Sequence, residues 1–131
     1  MKKLDGNYAD FPDLGFFVKL FSMKANHQTL AVVERLFPDV LNGTKTSTIR
    51  WREQHIVPGS LTFFNEADPQ KTVDVKVIRC TEMPLSQAAS FVGRAEEWPD
   101  AVMLEGMQEH YPEIQLSSIV QIVEFAFVPS F

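Results

Sequence analysis

Ten residues hold most of the reactive chemistry in this chain. Residues 43–52, Gly-Thr-Lys-Thr-Ser-Thr-Ile-Arg-Trp-Arg, set three cations (Lys45, Arg50, Arg52) among four hydroxyls (Thr44, Thr46, Ser47, Thr48). Fixed positive charge beside hydroxyl groups suits an anionic or carbonyl-bearing ligand, and a hydroxyl next to a base can become a nucleophile. The run Thr46-Ser47-Thr48-Ile49 favours extended backbone, and Asn42-Gly43 before it reads as a turn. On a strand, Thr46, Thr48 and Arg50 share one face, while Ser47, Ile49 and Trp51 take the other. Lys45 stands where turn becomes strand, so its side chain can fold back over Thr48. The same composition also suits a solvated sheet face. A phosphate-cradling P-loop is excluded, because its two glycines would have to stand at Asp39 and Thr44.

The elements that must carry these residues follow from pattern. A strand is expected at 30–34, then helical turns at 37–41 that Pro38 starts and Asn42-Gly43 ends, then a strand at 45–52. Pro58-Gly59 marks a turn before a strand at 60–64. A loop follows at 65–70, and a long strand at 71–81 puts Val73, Val75 and Val77 on one face. Pro84 leads into a helix at 86–91 with Ser86 as its cap. A second helix at 100–109 is weakened by Gly106 and barred from continuing by Pro112. The last strand, 119–128, is apolar on both faces except at Gln121 and Glu124, the pattern of a central strand. Strands outnumber helices, so the expected class is α+β: a small mixed β-barrel flanked by helices. Residues 1–28 read as an N-terminal appendage. Its amphipathic helix, from Asp13 through Leu14, Phe17, Val18 and Phe21, faces either the domain core or a second subunit in a homodimer.

With 131 residues, 45% of them apolar, the chain can bury a real core without staples. Its net charge of −5 repels polyanions. Duplex DNA is therefore not an expected partner, whereas a local basic cleft can still take a small nucleoside or a short RNA. The lone Cys80 forms no internal disulfide. The N-terminus carries no signal-peptide pattern and no apolar run reaches membrane-spanning length, so a cytoplasmic protein without a membrane partner is expected. His27, His55 and His110 lack metal-ligand spacing, and neither metal nor cofactor is expected. A flat ligand would need an aromatic wall, for which Trp51, Phe63, Phe64, Trp98 and Tyr111 are candidates.

The stretch Phe37-Pro38-Asp39-Val40-Leu41-Asn42-Gly43-Thr44-Lys45-Thr46-Ser47-Thr48-Ile49-Arg50 resembles the signature of the ASCH domain, an apolar helix followed by G-x-K-x-x-T-x-R. The resemblance spans about residues 29–128 and places an ASCH domain at 29–131. Pro58-Gly59 before a strand, Glu96-Glu97, Tyr111-Pro112 and the closing Val123-Glu124-Phe125 agree with it in order. It implies a PUA-like barrel. Some bacterial ASCH proteins are similar to N4-acetylcytidine amidohydrolases, in which that lysine, that threonine and a downstream glutamate are the proposed catalytic set. Carried over, these fall on Lys45, Thr48 and Glu96, with Glu97 the rival carboxylate. Thr46, Arg50, Glu97 and Trp98 become the residues expected to hold substrate. The chain departs from those enzymes at Gly59-Ser60, where they carry Gly-Asp, in a slightly shorter 51–58 loop, and at Glu97, where glycine is commoner. These departures leave the acyl group and the substrate open. Other ASCH proteins resemble RNA-binding modules, and ribonuclease activity has been suggested for some; in a ribonuclease Lys45 and Arg50 would stabilise phosphate and Glu96 would act as base.

Amide hydrolysis asks Lys45 for one of two roles. A neutral lysine can take the Thr48 proton, after which Glu96 handles the leaving amine. A charged one can stabilise the oxyanion while Glu96 activates Thr48 or water. Burial and Arg50 would lower the lysine pKa from about 10.4, whereas a close Glu96 would raise it. Sequence leaves both roles open.

Overall fold

The computed structural model describes residues 27–128. Strand alternation builds the sheet. Val73, Val75 and Val77 recur at every second position of β4 (Thr72–Pro84), and all three are buried. The other strands are β1 (Gln28–Val32), β2 (Ser47–Arg50), β3 (Gly59–Asn65) and β5 (Ile119–Phe127). They form one curled half-barrel sheet in the order β1-β3-β4-β5-β2. β1 runs parallel to β3 and every other pairing is antiparallel. With α1 (Phe37–Leu41), α2 (Leu85–Phe91) and α3 (Asp100–Gln108), this is the expected α+β class, a small PUA-like barrel flanked by helices.

β5 lies between β4 and β2, as its two-sided apolar pattern requires. Val123 and Phe125 enter one core with Leu30, Val32, Phe37, Val40, Leu61 and Phe63, where the Phe63 and Phe125 rings meet at 4.9 Å. Val120 and Ile122 enter a second core with Leu85, Ala88, Met103 and Ile114. Ile49 and Trp51 pack against that second core. Thr48 and Arg50 therefore point to the other face of β2, the alternation expected from the sequence.

Boundaries shift where tertiary contacts decide them. β2 is shorter than 45–52: the Lys45 amide bonds Asp39 O at 3.0 Å, and Arg52 takes φ 57°, which turns the chain out of the sheet. β4 outlasts residue 81 because Met83 and Pro84 still pair with Val120 and Ile119. α2 begins at Leu85 with Pro84 in the cap position, not Ser86. Its first amides donate instead to Ser118 O and Leu116 O at 2.8 and 3.0 Å, so no side-chain cap is needed. β1 starts at Gln28, inside the segment read as an appendage, and the expected strand residue Glu34 opens a 3-10 turn (Glu34–Leu36). The helix expected from Asp13, with any dimer contact through it, lies outside the described residues. Among the described residues no helix is long and apolar enough to cross a membrane.

Two buried glutamines bolt the 51–58 loop to the sheet. Gln28 Oε1 accepts from Val57 N at 2.8 Å, and its Nε2 donates back to Val57 O at 2.8 Å. Gln121 does the same for Ile56, at 3.0 Å to the amide and 2.7 Å to the carbonyl. Each side chain satisfies both backbone groups of one loop residue, and at Ile56, which is fully buried, those groups would otherwise lack a partner.

Candidate functional site

Lys45 owes its position to a helix end. Pro38 occupies the first turn of α1, and Gly43 at φ 81° ends it in the left-handed region that glycine enters without strain. Thr44 N then bonds Asn42 Oδ1 at 2.9 Å, and Lys45 N bonds Asp39 O. The lysine is thus fixed at its backbone while its ammonium makes no hydrogen bond or ion pair among the described residues. Burial, Arg50 and Arg94 push its pKa down from 10.5 to about 8, against a smaller upward pull from Asp39. Roughly a tenth of a lysine with that pKa is neutral at pH 7.

This depression has a stability consequence with a definite sign. Between the folded pKa of about 8 and the unfolded value of 10.5 the unfolded chain binds more protons at Lys45, so stability rises with pH across that window. Below pH 8 the full penalty is present. Replacing Lys45 by methionine is expected to raise the unfolding free energy by roughly 1–3 kcal/mol at pH 7, the range allowing for solvent screening of a half-buried ammonium. The gain should fade by about pH 10.5, as read from urea unfolding at a series of pH values.

Thr48 is 6% exposed, and its Oγ1 accepts from Arg50 Nε at 2.9 Å. The same guanidinium reaches Ala31 O with Nη2 at 2.9 Å and Glu53 Oε1 with Nη1 at 3.3 Å. Since β1 and β2 are the two sheet edges, Arg50 bridges the open side of the half-barrel. Glu53 in turn accepts from the Tyr111 hydroxyl at Oε2. Tyr111 packs edge-on against Trp51, centroids 6.0 Å apart and planes at 80°. Burial, with Glu53 adding to it, raises the Tyr111 pKa well above its ordinary value, so the phenol stays a donor.

The helical segments deliver the third cation. α2 ends at Gly93, φ 78°, and Arg94 N closes back on Ala89 O at 2.8 Å. Arg94 pairs with Glu97 at 2.8 Å and lies 5.3 Å from the Trp98 ring centre. Its charge also acts on Lys45. Glu96 is exposed and lines, with Ser90, Gly93, Arg94 and Glu97, an open depression of about 330 Å³. It makes no hydrogen bond or ion pair among the described residues.

The structure thus gathers Lys45, Thr48 and Arg50 at the β2 end of the sheet and sets Arg94 within electrostatic reach of Lys45. The carboxylate acting on Lys45 is Asp39. Glu97 is engaged by Arg94, and Trp98 packs on the second core beneath that arginine. Thr46 is exposed at the start of β2, where its carbonyl accepts from Phe125 N at 2.9 Å. Phe63 is buried in the first core and offers no wall to a ligand. Arg79 on β4 is bound to Glu124 on β5 at 2.5 and 3.1 Å. A second, smaller hollow of about 140 Å³ is lined by Arg50, Arg52, Glu53, His55, Glu82 and Gln121 among others.

Sequence reasoning missed Arg94, Glu53, Gln28 and Gln121. Gly93 at the end of an amphipathic run is the one local signal that sets Arg94 apart. The glutamines act through partners 29 and 65 residues away and leave no local signature, and although Glu53 pairs with nearby Arg50, its second partner, Tyr111, lies 58 residues away.

No family model matches the chain, and no curated protein matches it. Its fold is similar to the crystal structure of protein EF3133 from Enterococcus faecalis V583, of the family DUF984. The two superpose with a TM-score of 0.56 over 88% of each chain at 16% identity. At that identity the likeness shows a shared fold and nothing further.

Proposed function

We propose that the chain is an ASCH-type amidohydrolase that removes an acyl group from a modified pyrimidine nucleoside such as N4-acetylcytidine, without a metal. The observation that carries this reading is Lys45, a cation without an ion-pair partner among the described residues, whose pKa of about 8 lets it act as a base close to neutrality. Lys45 in its neutral form takes the Thr48 proton as Oγ1 attacks the acyl carbon. The Arg50 Nε–H on that oxygen lowers the cost of its negative charge. The Lys45 ammonium then protonates the leaving exocyclic nitrogen, and water, activated by the same amine, hydrolyses the acyl-threonine and restores the hydroxyl. Cytosine's ring conjugation makes its exocyclic nitrogen a better leaving group than an alkyl amine, so a modest catalytic set suffices. Of the two carboxylates, Glu96 is favoured over Glu97 to assist proton transfer at the amine, since Glu97 is occupied by Arg94. Thr46 and Trp98, with Arg50, would hold the nucleoside.

A second reading is favoured by the convergence of Lys45, Arg50 and Arg94, which suits an anionic group. In it the same cleft binds a nucleotide or a short RNA and performs no reaction. Purified protein mixed with N4-acetylcytidine in the presence of a chelator separates the two. The amidohydrolase converts it to cytidine, visible in the ultraviolet spectrum. The binding module leaves it intact and shows salt-sensitive binding of RNA.

A further inference from the structure

We propose that Glu53 is a positioning residue of this site, holding the Arg50 guanidinium so that its Nε–H faces the Thr48 oxygen. The inference rests on the amidohydrolase reading for its consequence in turnover, but its geometry stands independently. A guanidinium is a rigid plane with five N–H bonds, so fixing two of its corners fixes the third. Ala31 O holds Nη2 and Glu53 Oε1 holds Nη1; the direction of Nε toward Thr48 follows. Glu53 is itself held at its other oxygen by Tyr111, which comes from beyond α3 and is seated against Trp51. With Arg50 donating to Oγ1, the Thr48 proton is directed away from the arginine.

The backbone adds an independent observation. Arg52 adopts φ 57°, the left-handed region that non-glycine residues rarely enter. That turn ends β2 and brings Glu53 back alongside Arg50, while the Arg52 guanidinium stacks 4.2 Å from the Trp51 ring centre. Strain of this kind persists only where surrounding contacts over-determine it, and the Arg50–Glu53–Tyr111 chain is such a set of contacts.

The test compares Glu53→Ala and Tyr111→Phe with the parent in two readouts: kcat and KM for N4-acetylcytidine, and the Arg50 Nε–H resonance in proton–nitrogen NMR spectra, assigned by its loss in Arg50→Lys. The parent is expected to show a distinct, slowly exchanging Nε–H signal. In Glu53→Ala that signal should collapse into the envelope of solvent-exposed arginines. kcat should then fall about a hundredfold, the size of effect expected when a reacting group is misplaced from a distance, with KM changed less than about threefold. Tyr111→Phe, which removes a single oxygen from the far end of the chain, should give the same pattern more weakly and covers the case in which Glu53→Ala folds poorly. Parental kcat in Glu53→Ala, or an unshifted Nε–H signal, overturns the proposal while the parent's own turnover leaves the amidohydrolase reading standing. A parent that turns nothing over ends that reading, and the Nε–H signal alone then decides whether Glu53 positions Arg50.

Discussion

Thr48→Val is expected to reduce turnover of N4-acetylcytidine by about 10⁴-fold or more, the largest effect of any single change to this site. Valine keeps the shape and the strand preference of threonine, so β2 and its pairing with Val123 should survive. What is lost is the oxygen that would attack the acyl carbon and that accepts from Arg50. The buried Nε–H then lacks a partner, which should cost about 1–3 kcal/mol of stability, visible in urea unfolding. Thr48→Ser restores the hydroxyl and should bring the rate back to within about tenfold of the parent. If the valine variant turned over like the parent, Thr48 would be a structural hydroxyl and the nucleophile would have to be sought elsewhere.

Lys45→Ala should lower kcat/KM by about 10²–10⁴-fold, the usual contribution of a positioned general base. Alanine removes base and charge together, so Lys45→Arg is the sharper exchange. Arginine keeps a cation beside Arg50 and Arg94 but cannot give up its proton in the working range. On the account given above it should bind the nucleoside and fail to turn it over. Were Lys45 instead an oxyanion stabiliser, the arginine variant would keep a substantial share of the rate, and the alanine variant alone would be inactive.

Much of this arrangement can be read locally. Asn42-Gly43 ends α1 as expected, which sets Lys45, and the strand period separates Thr48 and Arg50 from Ile49 and Trp51. The two-sided apolar pattern of β5 correctly marks an interior strand. The order of the strands is not local information. Periodicity says which face a residue occupies, not which strand lies beside it, so nothing in the sequence shows that Arg50 would reach across to Ala31 on the opposite edge. The same holds for Tyr111 meeting Glu53 and for the glutamines that clamp the 51–58 loop, since each joins residues far apart along the chain. Competition between charges is a further case. Whether Arg50 or a carboxylate governs Lys45 depends on distances that spacing does not encode, and in the structure burial and two arginines outweigh Asp39. Ser86 is not the cap for a related reason: carbonyls of the 116–118 turn, brought up by β5, take the Leu85 and Ser86 amides, and the helix starts at Leu85 with Pro84 before it.

The dependence of kcat/KM on pH, measured for the parent beside Lys45→Arg with N4-acetylcytidine as substrate, tests the role of the lysine most directly. A rate that climbs with an apparent midpoint near 8 in the parent, and a flat, near-zero profile in the arginine variant, is the expected outcome. A parental rate that is level from about pH 6 to 9, or that declines as the ammonium loses its proton, would contradict it, because the working form of Lys45 would then be the charged one.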